Sequence, residues 1–306
     1  MELDKTNIVI RERGYLEIMD LALRVIRAHA GPLALALLAG VAPMMLLNAW
    51  LLADYSERTY QPGTLTPSIP LNLLATFFVG IWDMRHYLFF TLVLVTWQMP
   101  LAAAPATVYL GEALFSSRPQ LGKIVRSLRE SLPQLLVYQV LLRGLLVPVV
   151  LFAPTVLSVL AFLVLLGYWP YLFIWRPYLN EVILLERNPM RAAKRDAMTS
   201  RRRTRVLHAG QAGDLFARWM AAAAIGFLLL FSLWMSIGVL RMMLLSELAW
   251  SDGMFTFDFQ LTLWIVVSYF TVVRFLSYVD LRIRREGWEV ELAMRAEEAR
   301  LKGQLT

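Results

Sequence analysis

The chain contains no cysteine, which excludes disulfides, zinc–thiolate sites, iron–sulfur clusters and thiol nucleophiles. Histidine is nearly as scarce: His29, His86 and His208 are the three present, and they fall in different surroundings. No HExxH, GxSxG, P-loop or dinucleotide-binding fingerprint occurs. Charged residues make up 17% of the chain, against about 25% in soluble domains, and the long apolar stretches hold almost no carboxylates. A paired-carboxylate site has nothing to be built from there. These absences point to a protein that is not an enzyme and carries no cofactor and no metal.

What the chain has is apolar length. Of its 306 residues 58% are hydrophobic, and the mean hydropathy is +0.55. The expected fold class is all-α: a polytopic membrane protein with about six transmembrane helices and amphipathic surface helices. The formal charge of +7 does not imply nucleic acid, because the basic residues gather at the ends of apolar runs, where inner-leaflet phosphates sit. The first apolar run starts near residue 30, follows charges of both signs and lacks a small-residue cleavage site, so it reads as a retained span and not a signal peptide.

Apolar intervals of about 20 residues match the hydrocarbon thickness and place spans at about 33–52, 86–110, 135–153, 156–180, 215–240 and 259–279. Together they form a membrane domain over 30–280. Ahead of it, residues 1–29 end in an amphipathic helix with Tyr15, Ile18, Met19, Ala22 and Ile26 on one side. Residues 121–132 form a second such helix, and 281–306 a charged helical tail. The turn-rich stretch 54–70 is an external loop, and 71–82, too short to cross, is interfacial or re-entrant. His29, at the turn into the first span, reads as solvated. Of the 30 Lys and Arg residues, 23 lie in the four segments assigned to the cytoplasm, whereas Arg58, Arg85 and Arg241 lie outside. That bias sets both termini in the cytoplasm.

The largest basic cluster is the segment 181–214 between the fourth and fifth spans. Asn188 and Pro189 have the types expected at a helix start, with Met190, Ala193 and Ala197 as the apolar stripe of a short surface helix. Arg201, Arg202, Arg203 and Arg205 then form a positive patch suited to anionic lipid headgroups.

Four charged residues are candidates for an intramembrane polar site. Arg143, in VYQVLLRGLLVPVV, lies near mid-span, where an arginine costs about 2.5 kcal/mol or more without a partner or polar interior. Two readings stay open. It bonds carbonyls freed by Pro148 or an acid on a neighbouring helix, or it contacts an anion or lipid headgroup in a central cavity. Arg274, in the sixth span, can reach the cytoplasmic interface near Asp280, and Glu181 sits at the inner end of the fourth span, so these three can meet there. Pro43, Pro100, Pro105, Pro148, Pro170 and Pro177 all fall within the expected spans. Kinked packing accounts for them, as does the broken-helix design of transporters.

The lead GYLEIMDLALRVIRAH, the segment NEVILLERNPMRAAKRDAMTSRRRTRV and the run FLSYVDLRIRREGWEVEL resemble a group of bacterial six-helix proteins. These are similar to the membrane domain that precedes the catalytic barrel in some glycerophosphodiester phosphodiesterases. The resemblance covers most of the chain. A barrel needs about 250 further residues, and the chain ends at Thr306. The resemblance thus implies a stand-alone module of the bacterial inner membrane without hydrolase activity. The expected role is a scaffold or assembly subunit of an envelope complex, with membrane protein partners or a homo-oligomer. The alternative is a transporter or lipid-handling protein with a polar cavity around Arg143.

Overall fold

A run of apolar residues long enough to cross a bilayer has to satisfy its backbone within itself, and helices do this. The computed structural model describes residues 14–53, 81, 84–115, 119–175, 177–189, 199–208, 212–245 and 253–286; among these residues there are helices and no strands. The expected loop 54–70, almost all of 71–82, the stripe at Met190, Ala193 and Ala197, and the tail beyond 286 lie outside them.

The helices are α1 (Tyr15–Ala28), α2 (Ala30–Leu51), α3 (Arg85–Phe115), α4 (Leu121–Leu136), α5 (Val147–Phe152), α6 (Thr155–Trp175), the single turn α7 (Leu179–Glu181), α8 (Ser200–His208), α9 (Ala212–Leu245) and α10 (Phe259–Glu286). Four stretches are long and apolar enough to cross a membrane: Ala30–Leu51, Arg85–Leu114, Gly213–Leu244 and Met254–Arg284. Val156–Tyr171 is a shorter apolar helical stretch.

Pairings along the helices fix their directions. His29 meets Tyr109, the Gln98 amide donates to Asn48 Oδ1 at 2.7 Å, and Gly40 faces Ala102, so α2 runs antiparallel to α3. Arg241 pairs with Asp258, Gly226 faces Phe270 and Arg218 reaches Asp280, so α9 runs antiparallel to α10. At the end where α1, α4 and α8 gather, hereafter the basic end, lies the largest apolar cluster. It joins α1, α3, α4, residues 178–184 and α10. A second cluster, of Met84, Trp234, Met254, Phe255 and Phe259, closes the opposite end, where Trp234 Nε1 donates to the Met254 carbonyl at 2.8 Å.

Helix α1, expected to lie as an amphipathic helix on the membrane surface, packs one side on protein. Ile18, Met19, Ala22 and Val25 are buried, and Tyr269 of α10 donates to the Met19 carbonyl at 3.2 Å. His29, expected to be solvated, lies 3.3 Å from the Tyr109 hydroxyl.

The interval 135–153 is not one helix. It consists of the last turn of α4, a π-helical turn Val137–Arg143, a break at 145–146 and the short α5. Gly144 and Pro148 flank the break at 145–146. Gly144 lies against the Trp97 indole where a Cβ would not fit, and Pro148 lacks the amide needed to continue the ladder and sits instead in the first turn of α5. Pro177 likewise falls in the break after α6, whereas Pro43, Pro100, Pro105 and Pro170 lie inside helices. Residues 179–186, of which 179 and 180 are the expected end of the fourth span, follow that break. They form α7 and a π-helical turn Val182–Glu186 whose Val182, Ile183 and Leu184 are buried.

Candidate functional site at the basic end

The π-helical turn after α7 points Glu186 at three other parts of the chain. Arg203 of α8 donates through Nε at 2.6 Å to Oε2 and through Nη2 at 3.1 Å to Oε1. The Tyr278 hydroxyl of α10 donates to Oε1 at 2.7 Å, and the Asn188 amide to Oε2 at 3.0 Å. A bidentate guanidinium with two further donors saturates a carboxylate. Beside this node the Gln134 amide of α4 donates to the Asn188 carbonyl and the Ser200 hydroxyl, at 3.0 and 2.6 Å. The basic segment is therefore bolted to α4 and α10.

Deeper in the bundle, Glu181 is fully buried and accepts from Arg274 Nε at 2.6 Å. Its neighbour Asn180 donates to the Pro100 carbonyl of α3 at 3.3 Å. Asp280 does not join this pair. It accepts from Arg284 one turn on at 2.8 Å and lies 3.5 Å from Arg218 of α9. Of the four candidates, the structure thus brings Arg274 and Glu181 into contact and gives Asp280 a separate role joining α9 to α10.

Arg143 is 8% exposed. It closes the π-helical turn, and its carbonyl accepts from Trp169 Nε1 at 3.3 Å.

The positive patch divides. Arg202 and Arg205 are exposed, whereas Arg203 is turned inward onto Glu186 with 16% of its side chain exposed. Arg203, expected to contact lipid, is a structural cation here. The cause is helical periodicity: α8 buries Ser200, Thr204, Leu207 and His208, and Arg203 shares that face. His208 stacks on Tyr178 with ring centroids 5.6 Å apart.

Two hollows open beside these clasps. One, of about 400 Å³, lies between α3, α4, the 182–187 turn and α10. The other, of about 270 Å³ and mostly apolar, is lined by α9 and α10 with Tyr15, Tyr178, Arg218 and Arg274. Burial pushes the Tyr15 phenol up to about 12, so it is a neutral wall of that hollow. Neither hollow is lined by Arg143. Among the described residues no group of three or more His, Asp or Glu side chains is placed to hold a metal ion.

Sequence reasoning missed the Glu186–Tyr278 contact and the Arg218–Asp280 pair as parts of the site. A signal for both existed in YVDLRIRR, where Tyr278 with Arg282 and Asp280 with Arg284 make two stripes at i,i+4.

No family model, curated protein or solved structure matches this chain.

Proposed function

We propose that this chain is a six-pass, non-catalytic protein of a bacterial inner membrane with both termini in the cytoplasm, and that it serves as a scaffold or assembly subunit of an envelope complex. The observation that carries this reading is the use made of the buried charges. Glu181 and Asp280 each join segments far apart in the chain through arginine, and Glu186 does so through Tyr278, which suits holding a shape more than presenting a reactive group. The burial of Arg143, whose carbonyl accepts from Trp169, favours the same reading over a transport cavity at that residue. Membrane lipids with anionic headgroups, and either a membrane protein or a second copy, are its partners. The motif resemblance to the membrane domain of the phosphodiesterases is consistent with such a module.

The third and fourth crossings rest on two contacts. Val147, Val150 and Leu151 of α5 share a cluster with Leu52, just past α2, and with Tyr87 of α3, at the end away from α8. The chain on either side of this hairpin returns to the basic end, where Gln134 meets Asn188 and Ser200.

Because the chain has no cysteine, single-cysteine variants report topology without background. An impermeant maleimide added to spheroplasts is expected to label Ser56→Cys and Ser251→Cys, and to leave Ser116→Cys and Thr199→Cys unlabelled until the membrane is opened. Labelling of either of the latter two from outside rejects the arrangement.

The scaffold role is tested by placing a photoreactive residue at Leu163 or Phe227, both exposed and apolar. In native membranes an assembly subunit gives a protein adduct of one mass. Adducts with lipid alone at both positions overturn the role.

A further inference from the structure

We propose that the 400 Å³ hollow at the basic end binds the phosphate-bearing headgroup of an anionic glycerophospholipid from the adjoining leaflet. Its floor is apolar, with Val108 and Leu114 from α3, Leu184 from the π-helical turn and Phe275 from α10. Four cations rim it: Lys123 and Arg126 of α4, Arg187 of the turn, and Arg282 of α10.

The quality of their ion pairs separates Lys123, Arg126 and Arg187 from the cations in the clasps. Lys123 lies 4.0 Å from Glu112, Arg126 4.0 Å and Arg187 3.3 Å from Glu130, and Arg282 3.9 Å from a Glu186 already saturated by Arg203. The clasp contacts of Arg203 and Arg274 are 2.6 Å. The pairs of Lys123, Arg126 and Arg187 are long and open to water and contribute little, so a phosphate making charge-assisted contacts of about 2.7–2.9 Å competes with them readily. Four cations face two acids, Glu112 and Glu130, that remain in contact with water.

Arg187 adds an independent sign. It holds φ 52°, ψ 32°, and is the sole non-glycine residue with positive φ among those described. Glycine or asparagine ordinarily occupies such a helix-ending position. Residues held in sparsely populated conformations cluster at functional sites, and this one lines the hollow.

The lipid is chosen over free phosphate by the floor. Inorganic phosphate gains nothing from apolar surface, whereas a glycerol backbone and the first methylenes of an acyl chain fill it. The hollow also lies at the ends of two stretches long and apolar enough to cross the membrane, Arg85–Leu114 and Met254–Arg284, where headgroups sit. The inference rests on the membrane placement proposed above but not on the scaffold role, and the photo-crosslinking test of that role is read separately.

The test is native mass spectrometry of the full chain released from nanodiscs of phosphatidylcholine doped with phosphatidylglycerol. The parent chain is expected to retain phosphatidylglycerol. The triple variant Lys123→Gln/Arg126→Gln/Arg187→Gln is expected to bind it roughly 100-fold more weakly, at about five-fold per basic side chain. Leu114→Trp, which fills the floor and leaves every charge in place, is expected to lose it as well. Arg202→Gln/Arg205→Gln, which removes exposed charge from α8, is expected to keep it. Retention by both the triple variant and Leu114→Trp overturns the site, as does an equal loss in the α8 variant. Displacement of the lipid by inorganic phosphate at comparable concentration makes this a free-phosphate site and overturns the lipid assignment.

Discussion

Glu181→Ala is expected to lower the melting temperature of the purified protein by roughly 5–15 °C, on a cost of about 3–5 kcal/mol for breaking a buried ion pair from one side. Glu181 is fully buried, and 17% of the Arg274 side chain is exposed. Without its acid, Arg274 is a charge in apolar surroundings that cannot be discharged, because a guanidinium does not lose its proton at any ordinary pH. The reverse change, Arg274→Met, is expected to cost less. A carboxylate left alone in an apolar site neutralises by binding a proton. The double variant Glu181→Met/Arg274→Met removes both charges and is expected to recover most of the lost stability, since well-packed apolar groups replace a buried pair at little cost. Thermal unfolding followed by tryptophan emission reads all three. Shifts below about 2 °C for both single variants would remove the pair as a structural element.

The same pair marks how far the sequence could be read. Arg274 and Glu181 stood out as charges at the ends of apolar runs, and they meet. The four membrane-length helices were equally legible, because a long apolar run in a chain with so few charges has one way to satisfy its backbone. What could not be read depended on contacts between distant segments. Gly144 packs against Trp97, on another helix, and nothing in GLLVPVV announces that neighbour. Asp280 was grouped with Glu181 by its position along α10, yet the turn of that helix carries it toward Arg218 on α9. Arg203 shows a different limit. The face it shares with Ser200, Thr204, Leu207 and His208 is polar, so hydropathy gives no hint that it is an inner face. In the stretch Arg201–Arg205 the arginines look alike until a carboxylate such as Glu186 selects one.

Gly40→Ala carries the second large effect, and it tests the packing of α2 on α3 directly. The small residues Ala102, Ala103, Ala104 and Ala106 of α3 are all buried, and Gly40 lets the two backbones touch. A Cβ at position 40 would overlap the Ala102 carbonyl oxygen and sit 2.8 Å from the carbonyl carbon and 3.1 Å from Cα. Those are backbone atoms of a helix and cannot rotate away, so the whole contact must open. Forcing one methyl into a close-packed interface costs about 1–3 kcal/mol, and Gly40→Ala is placed at or above the top of that range because backbone, not a side chain, must yield. Opening the contact also strains the buried hydrogen bond that the Gln98 amide donates to Asn48 Oδ1 on the same helix pair. Gly167→Ala is the matched control. It too lies inside an apolar helix, but a Cβ there meets nothing within 4 Å, and the gain in helix propensity over glycine, about 0.5–1 kcal/mol, should leave stability equal or slightly raised. Opposite signs for the two alanines in one thermal-unfolding series identify backbone contact as the cause. A Gly40→Ala protein as stable as the parent would mean that α2 and α3 do not approach this closely.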